Sequence, residues 1–177
     1  PDKVRSMVLD GVVPNELALG SEHAINLETA LKAQFQRCVA DSECHAIYGD
    51  PYAAMKELQR DLRERPADIQ LADPRTNDIL TLPFSDASLA TTVRMYAYQP
   101  ESAVLLPRLL ADAAAGRPQA LVAQAAMVLE DLGEQIHHGM QLSVMCSEDA
   151  DGLSVRPQDA DTVLGIALVD LALAHCS

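Results

Sequence analysis

Two adjacent acidic residues, Glu148 and Asp149, have the residue types and the position to bind an amine or a cation. They follow an apolar run, residues 142–146, which we predict to be extended, so both carboxylates would lie at a strand end ahead of a turn. Carboxylates form strong charge-assisted hydrogen bonds with ammonium groups. A solvated turn explains the same residues, because Asp and Glu are mostly exposed in proteins. On residue types alone, both interpretations stay open.

Four cysteines form two candidate pairs. Cys38 and Cys44 span the predicted end of a helix, where two Cα atoms could come within disulfide range. A disulfide, two free buried thiols and a zinc site that includes His45 all remain open, although zinc would need two further ligands. Cys146 and Cys176 flank the last predicted helix, and a helix of about 20 residues separates its ends by roughly 30 Å. Their pairing would therefore require the preceding chain to fold back along that helix.

Common catalytic motifs do not occur in the sequence. There is no G-x-S-x-G, G-x-G-x-x-G, P-loop or H-E-x-x-H motif. His137 and His138 are adjacent on a predicted helix, so their side chains point roughly 100° apart and cannot bind one metal together. We therefore predict no metal or cofactor, and we assign no catalytic residue.

The overall composition excludes some classes of function. The chain has 177 residues, of which 49% are hydrophobic, and this is enough for one domain with a real core. Its 13 basic and 26 acidic residues give a formal net charge of −13. A nucleic-acid partner is not expected, because phosphate binding needs clustered Lys and Arg. Membrane insertion is not expected either, since no apolar run approaches the roughly 20 residues of a membrane span.

Helix start signals divide most of the chain into helices. Asp50 and Pro51 are the strongest of them, an acidic N-cap followed by proline at the first helical position. The other predicted helices begin near Ser21, Ser85 or Asp86, Pro100, Pro118 and Pro157. Pro107 predicts either a kink in the helix that begins at Pro100 or a late start of that helix. The fold class that follows is mainly α.

Strand signals are fewer. Residues 69–71 and 79–82 flank a turn-rich segment and predict a small β-hairpin. Residues 7–9 and 142–146 predict one or two isolated strands. The first of these, with Val12 and Val13 beyond it, is typical of a strand buried in a parallel sheet. We expect that its sheet lies outside this sequence, and that the strand pairs instead with residues 142–144 or with a second copy of the chain.

The order of several motifs resembles one family of enzymes. Residues 1–12, followed by Pro14, resemble α/β-hydrolases of the proline iminopeptidase and tripeptidyl aminopeptidase family, in the helix after the nucleophile elbow and the sixth core strand. The C-x5-C of residues 38–44 resembles the start of that family's cap. Residues 142–149 resemble its S-V-x-C-x-E-D motif, which lies late in the cap near the catalytic pocket. Cys176 resembles the cysteine that precedes the seventh core strand.

The resemblance implies a domain division and a role. Residues 1–15 would be a piece of the hydrolase core, and residues 16–177 would be the helical cap, or lid. The reactive serine would precede this stretch, and its acidic and histidine partners would follow it, so this chain alone would be inactive. Glu148, with Asp149 beside it, would bind the free α-amino group of a peptide substrate. The implied partners are the hydrolase core and a peptide or small ester. A periplasmic or secreted location is favoured.

Other classes of function remain open from the sequence. The chain could be the cap of an esterase-type hydrolase, or a helical protein-interaction module with a large exposed apolar patch. It could also be a metal-dependent enzyme that uses its Cys and His residues. A homodimer of the chain is a further expectation, because an unpaired apolar strand readily associates.

Overall fold

The computed structural model describes residues 3–12, 14, 16–73 and 76–176, and these are mainly helical. The helices are α1 (His23–Ala40), α2 (Ser42–Tyr48), α3 (Pro51–Glu64), α4 (Asp86–Tyr96), α5 (Pro100–Ala103), α6 (Leu106–Ala114), α7 (Gln119–Gln135), α8 (His138–Val144) and α9 (Ala167–Cys176). A π-helical turn, Met145–Asp149, follows α8, and single 3-10 turns span Ala150–Gly152 and Pro157–Asp159. Two strands, β1 (Ala67–Ala72) and β2 (Ile79–Phe84), separate α3 from α4. The predicted mainly α fold with a small hairpin is confirmed.

Local capping explains where two of these helices begin. The Asp50 carboxylate accepts hydrogen bonds from the backbone N–H groups of Tyr52 at 3.0 Å and Ala53 at 3.1 Å. Ser85 and Ser88 form a capping box at the start of α4, in which each side chain accepts from the other residue's backbone N–H. Both predicted helix starts are confirmed. The predicted cap at Ser21 is wrong, because α1 begins at His23 after Glu22, which makes no side-chain cap.

The main core lies between five helices and the hairpin. Its fully buried side chains include Leu31, Phe35, Met55, Phe84, Leu89, Val93, Leu106, Leu110 and Leu121. The strands are antiparallel, with Ala67 opposite Phe84 and Ala72 opposite Ile79. Ile69 and Leu82 are a facing pair on the side of the hairpin that packs against this core. Two residues of the predicted turn, 74 and 75, lie outside the described residues.

Two of the later helices are shorter than the longest helix that the sequence allows. Pro107 lies in the first turn of α6, so of the two alternatives the late start is correct and the kink is wrong, and α5 and α6 are separate helices. The helix predicted from Pro157 is one 3-10 turn, and α9 begins only at Ala167. The reason lies at Val163, whose N–H donates to Glu28 and whose C=O accepts from Gln59. These two buried side chains take backbone groups that a continuous helix would use.

Neither predicted isolated strand is a strand. Residues 7–9 belong to no strand, and their side chains are exposed; Val13 lies outside the described residues. Residues 142–146 are helical, in α8 and the π-helical turn, so residues 142–144 are not the strand partner of residues 7–9. Hydrophobic periodicity does not distinguish a short buried strand from a short buried helix. In residues 142–146 the helical form buries Met145 against α9.

Candidate functional site

One disulfide closes the turn between α1 and α2. Cys38 and Cys44 are bonded, with their Cα atoms 5.1 Å apart. Asp41 makes the turn possible because it caps α2, accepting from the N–H groups of Glu43 and Cys44. The predicted disulfide is confirmed. The zinc and free-thiol interpretations are wrong, since both sulfur atoms are in the disulfide.

A second disulfide joins Cys146 to Cys176, with a Cα–Cα distance of 5.0 Å. It links the π-helical turn to the end of α9. The sequence predicts a long helix that would hold these two cysteines far apart. In the structure α9 has only 10 residues, and the chain before it turns back through two 3-10 turns, so the two cysteines lie close together. The motif at residues 142–149 and Cys176, two of the segments at which the family resemblance places cysteines, are therefore covalently joined.

A small second core surrounds this disulfide. Met145, Leu153, Val169 and Ala172 are buried together, and Ala18 packs against them. The approach is close at Gly152, where an added Cβ would lie 3.0 Å from the Cβ of Ala18. The segment that precedes α1 is thus packed against the turn that follows the π-helical turn.

The larger of two adjoining pockets lies between residues 17–20, α1 and α4 and has a volume of about 420 Å³. Its lining is mostly apolar and consists of Leu17, Ala18, Leu19, Gly20, Glu22, His23, Asn26, Leu27, Ala30, Arg94, Ala97 and Tyr98. A volume of this size suits a small organic molecule. Another pocket of about 420 Å³ lies between α3, the hairpin and the start of α7, so volume alone does not choose between them. We take the pocket beside α1 and α4 as the candidate functional site, because a second pocket adjoins it and His23 and Arg94 line both.

A smaller pocket of about 100 Å³ adjoins the first. The two share four lining residues, Leu19, Gly20, His23 and Arg94, which we call the shared wall. On its other side the smaller pocket is lined by Gln141, Met145, Leu153, Leu168, Val169 and Ala172. The two pockets together run from α1 and α4 to the π-helical turn and α9.

The shared wall carries one fixed positive charge. Burial lowers the pKa of His23, and the charge of Arg94 lowers it further, so the imidazole is neutral at pH 7. Arg94 is half-buried, and its Nη2 donates to the Tyr98 hydroxyl at 3.4 Å. In the described part of the chain, no carboxylate oxygen lies within 4.0 Å of its guanidinium. The pocket is thus apolar, with a single unpaired cation at its wall.

Glu148 and Asp149 lie in the π-helical turn rather than at a strand end. Glu148 is exposed and Asp149 is half-buried, and neither lines the two pockets. Met145, three residues before Glu148, does line the smaller pocket. The predicted role of both carboxylates in amine binding stays a prediction.

Sequence reasoning did not find His23 and Arg94 as site residues. Each is a single polar residue within a helix, and no spacing connects them across 71 positions of chain. Within the described ranges, no serine hydroxyl is hydrogen-bonded to a histidine ring.

Searches of the described residues for two other kinds of site gave negative results. They contain no group of three His, Cys, Asp or Glu side chains placed to hold a metal ion. Among their helices, none combines the length and the apolarity that a membrane span needs. Comparison with known proteins adds no further assignment, because no family model, curated protein or solved structure matches the chain.

Proposed function

We propose that this chain is the cap of a serine α/β-hydrolase of the proline iminopeptidase or tripeptidyl aminopeptidase type, and that its pockets form part of the substrate site. One observation carries the proposal. Three of the four segments that bear the family resemblance have residues in or next to them that line the two adjoining pockets. Residues 17–20 come soon after the motif at residues 1–12, Met145 belongs to the motif at residues 142–149, and Val169 and Ala172 lie on the helix that ends at Cys176. Residues 38–44 line neither pocket.

The proposed topology supports this orientation of the pocket. In open α/β sheets, ligands bind outside the carboxyl ends of the strands. Residues 7–9 form no strand in this structure and would become a core strand only beside the sheet of the proposed core. Residues 17–20 would then follow the carboxyl end of that strand by a few residues, so the pocket would open toward that edge. The apolar side chains of Met7, Val8 and Leu9 are 66–94% exposed to water, so a further surface is needed to bury them. A hydrolase core would supply the sheet that covers them.

The chemistry divides between core and cap. The serine of the core would attack the carbonyl carbon, and the leaving amine or alcohol would depart with a proton from the general acid, leaving an acyl-enzyme that water then hydrolyses. The cap would exclude water and select the substrate. Glu148 would bind the free α-amino group through a charge-assisted hydrogen bond. A periplasmic or secreted location would suit the two disulfides, which persist in oxidising compartments.

The test uses the parent protein, expressed from the coding sequence with its flanking regions. A fluorophosphonate probe should label a serine of the parent and should not label this chain alone. Glu148→Gln in the parent should lower kcat/KM for a substrate with a free N-terminus by roughly 10- to 100-fold, the range for a hydrogen bond to a charged group. Hydrolysis of the N-acetylated substrate should change little.

Asp151→Asn is the matched control, because Asp151 is an exposed carboxylate three residues further along. Equal losses on free and blocked substrates would contradict amine capture and favour the esterase-type cap. A parent that no fluorophosphonate labels would reject the hydrolase assignment. The exposed apolar side chains within residues 4–12 would then favour the second candidate function, a helical protein-interaction module.

A further inference from the structure

Arg94 differs from the other arginines of the described residues. Five of them have carboxylate partners, as in Arg63 with Asp86 at 3.0 Å and the bidentate pair of Arg156 with Asp159. Arg5, Arg37 and Arg65 have no carboxylate partner in the described part of the chain, but they are exposed to water. Arg94 is half-buried in an apolar pocket and has only the Tyr98 hydroxyl at 3.4 Å.

A half-buried cation beside apolar side chains is stabilised by an anion or by good hydrogen-bond acceptors. The chain has 26 acidic residues, twice the number of its basic ones, and yet none of the described ones pairs with Arg94. The acidic residue of the pocket lining, Glu22, is engaged elsewhere, since its Oε1 accepts from Arg156 at 2.8 Å. The guanidinium is therefore available to a ligand.

We propose that the larger pocket binds a small apolar carboxylate, with Arg94 as its counter-ion. The planar guanidinium matches a carboxylate through two parallel hydrogen bonds. One positive charge suits a monoanion better than a phosphate dianion. Leu17, Leu27 and Ala97 provide the apolar surface for the rest of the ligand. His23, which is neutral at pH 7, adds a further hydrogen-bonding group at the same wall.

The source of the carboxylate follows from the proposed function and rests on it. In an aminopeptidase, the small apolar carboxylate of the substrate is the C-terminus of a short peptide. Arg94 would then favour peptides of a few residues with a free C-terminus over long chains. Carboxylate binding itself depends only on the pocket of this chain and not on a hydrolase core.

Calorimetric titration of the 177-residue chain tests the site directly. The probes are 4-methylpentanoate and its neutral amide, which differ only in charge at one end. The carboxylate should bind roughly 10- to 100-fold more tightly than the amide, the range for a hydrogen bond to a charged group. Arg94→Gln should remove this preference. Arg37→Gln is the matched control on α1, outside both pockets, and should preserve it.

A second variant keeps the test decisive if Arg94→Gln does not fold. Ala30 is an exposed lining residue of α1, so Ala30→Phe should fill the pocket without disturbing the core and should abolish binding of both probes. Equal affinity for acid and amide, no saturable binding of the acid, or full binding by Ala30→Phe would each overturn the proposal.

A second pair of probes identifies the source. Ala-Ala-Leu should bind more tightly than Ala-Ala-Leu-amide if the ligand is a peptide C-terminus. If the peptide pair shows no difference while 4-methylpentanoate keeps its preference, the site binds free organic acids and the peptide identification is overturned. Fluorophosphonate labelling of the parent does not depend on Arg94, so failure of the proposed function is recognised separately.

Discussion

Glu28 is a buried carboxylate with a structural task at the centre of the molecule. It is 4% exposed, it accepts hydrogen bonds from the Tyr52 hydroxyl and from the N–H of Val163 at 3.0 Å, and Lys32 lies 3.5 Å away. Burial raises the pKa of the Tyr52 phenol, and the hydrogen bond to Glu28 raises it further. With Gln59, which donates to the C=O of Val163 at 2.6 Å, Glu28 holds the turn that precedes α9.

Glu28→Gln should therefore destabilise the chain. The amide oxygen can still accept from the N–H of Val163, and the amide nitrogen can donate to the Tyr52 oxygen, but both hydrogen bonds lose the charge of the carboxylate and Lys32 loses its ion pair. Hydrogen bonds to charged groups contribute about 1.5–3 kcal/mol against about 1 kcal/mol for neutral ones, so the free energy of unfolding in urea should fall by about 1–2 kcal/mol. Glu57→Gln, at an exposed position of α3, should change it by less than about 0.5 kcal/mol. Equal effects of the two variants would contradict this role of Glu28.

At the scale of elements, the two disulfides constrain the chain to different extents. Cys38–Cys44 closes a loop of sequence separation 6 within one helical hairpin, whereas Cys146–Cys176 closes one of separation 30. The longer loop contains both 3-10 turns and the segment held by Glu28 and Gln59. Its closure fixes the π-helical turn, and with it Glu148, relative to α9.

Removal of the longer loop's disulfide should cost more stability. Loop-closure entropy predicts about 3.6 kcal/mol for Cys146→Ser with Cys176→Ser and about 2.2 kcal/mol for Cys38→Ser with Cys44→Ser. Thermal and urea unfolding of the two double variants measure the difference. Each serves as the other's control, because each replaces two half-buried or buried cysteines by serine. A larger loss for the Cys38 and Cys44 variant would show that local strain or packing outweighs chain entropy.

Elements set by local signals could be predicted from the sequence, and elements set by distant contacts could not. Asp50 and Ser85 determine helix starts through hydrogen bonds to residues two or three positions away, and Pro51 does so through its fixed φ. The end of the helix predicted from Pro157 depends instead on Glu28, 135 positions from Val163. The same limit applies to the site, since His23 of α1 and Arg94 of α4 line the same pockets only in the folded chain. The cysteine spacings were informative because a disulfide restricts geometry strongly.

At the scale of the whole molecule, the run of exposed apolar residues before α1 is unfavourable in a chain that is surrounded by water. Val8 is 94% exposed, and Met7 and Leu9 are 68% and 66% exposed. Isolated exposed apolar residues are normal on a protein surface, but a consecutive run indicates a surface that another molecule covers. The hydrolase core is the cover that we propose, and a second copy of the chain is the cover available to it in isolation.

The isolated chain should therefore self-associate through residues 7–9, and charge placed there should prevent it. We expect the weight-average mass in sedimentation experiments to rise with protein concentration, and Val8→Lys combined with Leu9→Lys to return it to the monomer value. Val104→Lys combined with Ile47→Lys is the matched control, since both residues are 68% exposed and lie away from this run. A monomer mass at every concentration would contradict self-association. In the parent protein the same lysines at positions 8 and 9 should instead lower stability, because the proposed sheet would bury at least one of the two charges.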